Sequence, residues 1–298
     1  MSTMLELAQR IKSKYGVPGC GMKATSIAGV HFYSVDEPIE RTPLIYHSGI
    51  IIIISGRKVG HLGGRAYNYD SEHYLTLGLP LAFECETHAS KEAPVFGLFI
   101  EVNSSIVTEV ALAMGLNTTN VEMDVLAVEA APMGAEMSDA VRRLLAHLCS
   151  DVDSAVLGDG CVREIIYRAL QGPAGSALKG LLRQDGHTVA VAKVMQDVHL
   201  DCAKHRSIED MAKMVGMSTS NFHRAFRQVT NDTPLQYIKK VRLSQARDLI
   251  VQEGSRVGSA AIAVGYESPA QFSRDFRSYF GFSPVEAKRN GYLLGPST

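Results

Sequence analysis

The spacing of apolar positions changes along the chain and divides it into stretches of different structure. Residues 5–11 have helical spacing and predict a short helix, followed by a Gly-rich loop to about residue 25. Residues 26–110 read as strands. The isoleucine run at 50–54, bounded by Gly49 and Gly56, is short and β-branched, as in a strand buried on both faces. Residues 58–62, a Gly63-Gly64 turn and residues 66–69 predict a hairpin. Residues 73–77, 81–86 and 95–102 predict further strands. Short strands with turn signals and few helices predict a sandwich or small barrel.

From about Asn120 the period lengthens. Met137, Val141, Leu144, Leu145 and Leu148 fall at helical spacing, and so do Val162, Ile165, Ile166, Ala169 and Leu170. Two amphipathic helices stopped by Gly172-Pro173-Ala174-Gly175 predict a helical hairpin. The expected organisation is α+β: a β-rich domain at 1–172 whose last part, about 120–172, is helical, a linker at 173–187, and an all-helical domain at 188–298.

The last hundred residues repeat themselves at an offset of about 50. Phe222-His223-Arg224-Ala225-Phe226-Arg227 returns as Phe272-Ser273-Arg274-Asp275-Phe276-Arg277, and Thr233-Pro234 returns as Ser283-Pro284. Upstream, Ala212 and Val215-Gly216-Met217-Ser218 return as Ala261 and Val264-Gly265-Tyr266-Glu267-Ser268, with one residue more. Each copy has the parts of a helix-turn-helix. In the first, residues 208–215 form a helix, Gly216 supplies a left-handed turn and Ser218 caps the next helix. Phe222, Ala225, Phe226 and Val229 then point inward, leaving Ser220, His223, Arg224 and Arg227 outside. In the second copy Phe272, Phe276, Tyr279 and Phe280 point inward, and Ala270, Gln271, Arg274 and Arg277 outward. Arginine bonds guanine in bidentate fashion, glutamine bonds adenine, and cations neutralise phosphates. Between the copies, apolar positions from Leu235 to Ile250 run without Gly or Pro up to Gly254. A helix of ~20 residues is ~30 Å long, close to the ~34 Å between successive major grooves on one face of DNA.

Charge supports a nucleic-acid module. The net charge of −1 hides a basic C-terminal part: from His187 onward there are 15 Lys and Arg against 10 Asp and Glu. The chain of 298 residues is 46% hydrophobic and 20% charged, which excludes collagen-like and largely disordered classes. No aliphatic run approaches the ~20 residues that span a bilayer, so no membrane partner is expected. Five scattered cysteines without a CxxC pair point to a reducing, cytoplasmic setting.

The repeat resembles the AraC/XylS family of transcription regulators. It shows A-x-x-V-G-M-S-x-x-x-F-x-R-x-F, a linking helix, and A-x-x-V-G-Y-x-S-x-x-x-F-S-R-x-F-R-x-x-F-G-x-x-P. The resemblance implies that Ser220, His223 and Arg224 of one recognition helix, and Ala270, Gln271 and Arg274 of the other, read bases in successive grooves. Asn231 departs from the glycine that is usual after the first recognition helix, but asparagine also tolerates the left-handed conformation. Tyr46, the isoleucine run, Gly56-Arg57-Lys58-Val59, Gly60, Tyr67-Asn68-Tyr69-Asp70, Tyr74 and Leu79-Pro80 resemble the sensor domain of a subset of the family. That implies a cupin-like β domain binding a small effector, with the helices at 136–171 forming a homodimer surface or packing wholly inside the monomer. RNA polymerase is a further expected partner.

Candidate effector contacts are His47, Lys58, Tyr67 and Tyr69. The alternative is that the tyrosines pack the sandwich and the lysine marks an edge strand. His31, His47, His61, His73 and His88 lie in the β region, but none forms the H-x-H pair of a metal-binding cupin. No nucleophile elbow, P-loop, Rossmann or zinc-spaced cysteine pattern is present. No catalytic residue, metal or cofactor is therefore assigned, and the expected class is not an enzyme. Cys20 and Cys85 are either redox sensors or inert buried thiols. Two alternatives stay open: a cupin-type metal enzyme fused to a DNA-binding module, and a constitutive DNA binder whose β domain senses nothing.

Overall fold

A computed structural model of the chain describes residues 3–62, 64–116, 127–182 and 186–290. Thr3 and Glu6 cap each other's backbone N–H groups at the start of α1 (Met4–Tyr15), and Gly16 at φ 59° closes it. The helix outruns the expected 5–11 because its ends are set by these caps, whereas the apolar repeat marks only its buried face.

Strands β1 (Gly21–Ala24), β2 (Val30–Val35), β3 (Ile39–Tyr46), β4 (Gly49–Ser55), β5 (Arg57–Leu62), β6 (Arg65–Asp70), β7 (His73–Leu77), β8 (Leu81–His88) and β9 (Val95–Glu101) follow, then α2 (Ser104–Ala113) and β10 (Val128–Pro132). They form two sheets, β1-β2-β9-β4-β7-β10 and β3-β8-β5-β6. The isoleucine strand β4 is central: Ile50 lies opposite Ile100 of β9 and Thr76 of β7, and every residue from Gly49 to Ile54 is buried. Alternation splits it. Ile50, Ile52 and Ile54 join Phe96, Leu98 and Ile100 in one core with the helices, while Ile51 and Ile53 occupy the opposite face.

Four expectations need correction. Gly21–Ala24, expected within a loop, forms β1 and pairs with β2. Residues 104–110 are helical rather than extended: Asn103 caps α2 and the pairs at Ile106-Val107 and Val110-Ala111 have helical spacing, which a short β-branched run conceals. Residues 128–132, expected within the helical stretch, form β10 on the edge of the larger sheet. Residues 120–126 of that stretch and Gly63 of the hairpin turn lie outside the described residues. Of the 173–187 segment, Gly175–Lys179 forms α5 and Gly180–Leu182 a 3-10 turn. Ala174, Ala177, Leu178 and Leu182 are buried there, and Thr76 Oγ1 donates to the Ala174 carbonyl at 2.8 Å. The expected helical hairpin is α3 (Ala135–Leu148) and α4 (Asp151–Gln171), whose apolar stripes are buried at the predicted positions.

The chain divides into two compact units, one drawn from 1–41, 47–79 and 85–183, the other from 42–46, 80–84 and 184–298. The second holds α6 (His187–Leu200), α7 (Ile208–Met214), α8 (Thr219–Thr230), α9 (Pro234–Val251), α10 (Val257–Ala263), α11 (Pro269–Phe280) and α12 (Pro284–Asn290). The linking helix α9 has 18 residues and starts where Thr233 and Gln236 cap one another, giving about 27 Å of axis.

Candidate nucleic-acid interface

The first bihelical module is built from local signals. Ser207 and Asp210 form a capping box at the start of α7, and Met211 and Ala212 pack inward. Gly216, at φ 66°, makes the turn, and the Met217 N–H returns to the Ala212 carbonyl at 2.9 Å. Ser218 caps α8, which buries Phe222, Ala225 and Phe226. Its last inward position is Thr230 rather than Val229, which is half-buried. The Thr230 hydroxyl donates to the Phe226 carbonyl at 2.8 Å, so its burial leaves no polar group unpaired. Asn231 adopts φ 60°, the left-handed conformation, and its N–H closes the helix on the Arg227 carbonyl at 2.9 Å. Gly281 does the same after α11, at φ 84° with Arg277.

The second module differs in its turn. Four residues separate α7 from α8, but five separate α10 from α11. Gly265 sits at φ 85°, and a Cβ there would lie 2.7 Å from the Ala203 carbonyl oxygen, so both conformation and space demand glycine. Ser268 caps α11, Pro269 opens it, and Phe272, Phe276 and Phe280 are buried; Tyr279, expected inside, is half-buried.

The faces opposite these phenylalanines carry the candidate readers. Ser220, Arg224 and Arg227 on α8 are exposed and His223 is half-buried. Ala270, Gln271, Arg274 and Arg277 on α11 are all exposed. The guanidinium of Arg224 donates to Asn221 Oδ1 at 3.0 Å. Asn221 escaped the sequence reading; an asparagine three residues before an exposed arginine on one helix is the signal that identifies it. Other cations of this unit serve the fold. Arg206, 6% exposed, donates to Asp197 Oδ2 at 2.6 Å and to the Asp201 carbonyl at 2.7 Å. Arg242 donates to the Cys202 carbonyl at 2.8 Å, and Arg247 is fully buried beside Asp248 at 3.0 Å.

In the β unit the hairpin places Lys58 opposite Tyr69 and Gly60 opposite Tyr67, so Lys58, Tyr67 and Tyr69 share one face. Lys58 is 3% exposed and lies on β5, flanked by β8 and β6, so it does not mark an edge. Its ammonium lies 5.2 Å from the Tyr33 ring centroid, and Tyr69 meets Cys85 Sγ at 3.2 Å. Tyr33 gave no sequence signal as a neighbour of Lys58. Burial pushes its hydroxyl well above the usual tyrosine range. Burial lowers the pKa of His47, and Glu101 opposes that shift. Burial pushes the Cys20 thiol up, against thiolate chemistry at that position. Among the described residues no group of three or more His, Cys, Asp or Glu is placed to hold a metal ion.

A β-sheet domain followed by two tandem helix-turn-helix modules defines a transcription-regulator architecture. The model for the AraC-type transcriptional regulator N-terminus matches residues 26–177, and a helix-turn-helix domain model matches residues 211–290. The chain belongs to the AraC/XylS family of transcriptional regulators. It is 36% identical over 83 residues to an HTH-type transcriptional regulator of Haemophilus influenzae, covering 28% of each chain. It is 33% identical over 90 residues to the RCS-specific HTH-type transcriptional activator RclR of Escherichia coli, covering 30% of this chain and 32% of that one. The chain thus spans less than a third of the length of these curated relatives that it matches. The crystal structure of ToxT from Vibrio cholerae with bound unsaturated fatty acid has the same fold, with a TM-score of 0.60 at 10% identity over 86% of this chain and 93% of that chain.

Proposed function

We propose that the protein is a sequence-specific double-stranded DNA-binding regulator of transcription that responds to a small molecule. One observation carries this reading: two phenylalanine-anchored helices, each following a left-handed glycine turn, expose Ser220, Arg224 and Arg227 on one and Gln271, Arg274 and Arg277 on the other. His223 and Ala270 complete the two faces. Arg224, Gln271 and Arg274 read base edges, and Arg227 and Arg277 neutralise phosphate. Residues 188–298 form the DNA-binding domain and residues 1–172 the sensor domain. The effector is contacted by His47 and by the hairpin face of Lys58, Tyr67 and Tyr69. Sensing is supported by ToxT, a protein of the same fold crystallised with an unsaturated fatty acid. Effector binding shifts the population between arrangements of the DNA modules in a homodimer.

Dimerisation uses the outer face of α4, where Val152 and Val156 are 72% and 73% exposed. No described helix is long and apolar enough to cross a membrane, and the proposed compartment is the cytoplasm. RNA polymerase is the partner through which bound regulator acts. The protein works by binding, without catalysis. The test is selection of duplexes from a randomised pool by the full-length protein. The expected result is an enriched site with two contacted blocks about one helical turn apart. Recovery of random sequence would refute the reading.

A further inference from the structure

Two consecutive lysines of the linking helix each grip one DNA module. Lys240 Nζ lies 2.7 and 2.8 Å from the two carboxylate oxygens of Asp232, in the turn that ends the first recognition helix. Lys239 Nζ lies 2.7 Å from Asp275 Oδ1, within the second recognition helix. The other oxygen of Asp275 accepts from the Tyr266 hydroxyl at 3.3 Å, which ties in the turn of the second module. Asp232 and Asp275 are 14% and 21% exposed, so both carboxylates are sheltered.

The arrangement follows from helix geometry. Consecutive residues on a helix point about 100° apart, so adjacent lysines on α9 reach in different directions. The two grips are not copies of each other. The repeat places Ala225 where the second module has Asp275, and Phe282 where the first has Asp232. Each module therefore lacks the other's carboxylate, and one pair of lysines on the shared helix serves both.

We infer that Lys239 and Lys240 are positioning residues that brace the two recognition helices at a fixed separation along DNA. The inference rests on the proposed DNA-binding reading. Both ammonium groups are engaged by carboxylates, which assigns them to the brace rather than to phosphate. Their effect falls on the distance between the two contacted blocks rather than on the contacts themselves.

The test uses full-length protein and the duplex recovered by selection, resynthesised with one base pair added or removed between its two blocks. Wild type discriminates against both altered spacings. Lys239→Met and Asp275→Asn each lower that preference about two- to fivefold, the scale of one partly exposed ion pair. The slope of log affinity against log salt stays at the wild-type value, and the melting temperature changes little. The charge-reversed pair Lys239→Asp with Asp275→Lys recovers part of the preference, which a merely structural loss would not. Unaltered preference in Lys239→Met and Asp275→Asn overturns the brace. So does a salt slope reduced by about one in Lys239→Met, because the lysine would then contact phosphate. If wild type selects no duplex, the DNA-binding reading falls and the brace with it; intact selection with unaltered preference removes the brace alone.

Discussion

Arg224→Ala separates reading from folding. The side chain is exposed, and its one hydrogen bond described here is to Asn221 on the same helix surface. Truncation opens no cavity, because the core of α8 is made by Phe222, Ala225 and Phe226 on the other side. Stability should therefore stay within about 0.5 kcal/mol of wild type. A base contact through a guanidinium is worth about 1–3 kcal/mol, so affinity for the selected duplex should fall about five- to 150-fold. Fluorescence anisotropy titrations against the selected duplex and a scrambled one, each at two salt concentrations, give the comparison. A base reader loses affinity on the selected duplex and much less on the scrambled one. Equal loss on both, with a salt slope lower by about one, would reassign Arg224 to phosphate. Wild-type affinity on the selected duplex would remove α8 as a reading element.

Other regions make separate predictions. Gly78→Ala should destabilise the β unit by about 1–3 kcal/mol, because its Cβ would lie 2.2 Å from the Ala177 carbonyl oxygen; an unchanged urea midpoint would mean that α5 does not pack there. His47 has its folded pKa lowered by burial. The stability it contributes is present above the unfolded value of about 6.5 and is lost as pH falls through the folded one. His47→Gln should accordingly flatten the fall of melting temperature between pH 7 and 5, and parallel curves would contradict this. Val156→Asp should leave the protein folded and shift it toward monomer in sedimentation velocity, since Val156 is 73% exposed; wild-type self-association would exclude that face of α4.

What was legible in the chain followed from strong, local chemistry. The helix-turn-helix pair was legible because its phenylalanines, turn glycines and cap serines each act within a few residues. Asn231 was legible for the same reason, since a left-handed residue after a helix has few candidates. The isoleucine strand was recognised by its β-branched run between glycines. Long-range packing was not legible. Residues 173–187 read as a connector because Gly172-Pro173-Ala174-Gly175 opens the stretch, yet Ala177 and Leu178 are fully buried. Charge also misleads when counted without burial: Arg206 and Arg247 add to the basic balance while sitting inside the fold. In the β unit, nothing in the pattern marked Tyr33 as the ring that the Lys58 ammonium faces at 5.2 Å.

The fifth residue in the turn between α10 and α11 has a consequence for how the two modules would lie on DNA. Two bihelical heads with unequal elbows, strung in tandem on one polypeptide, cannot exchange places. On the proposed DNA-binding reading, a single subunit has a front and a back on the duplex, and inverting its binding site relative to a start codon would turn the whole molecule around.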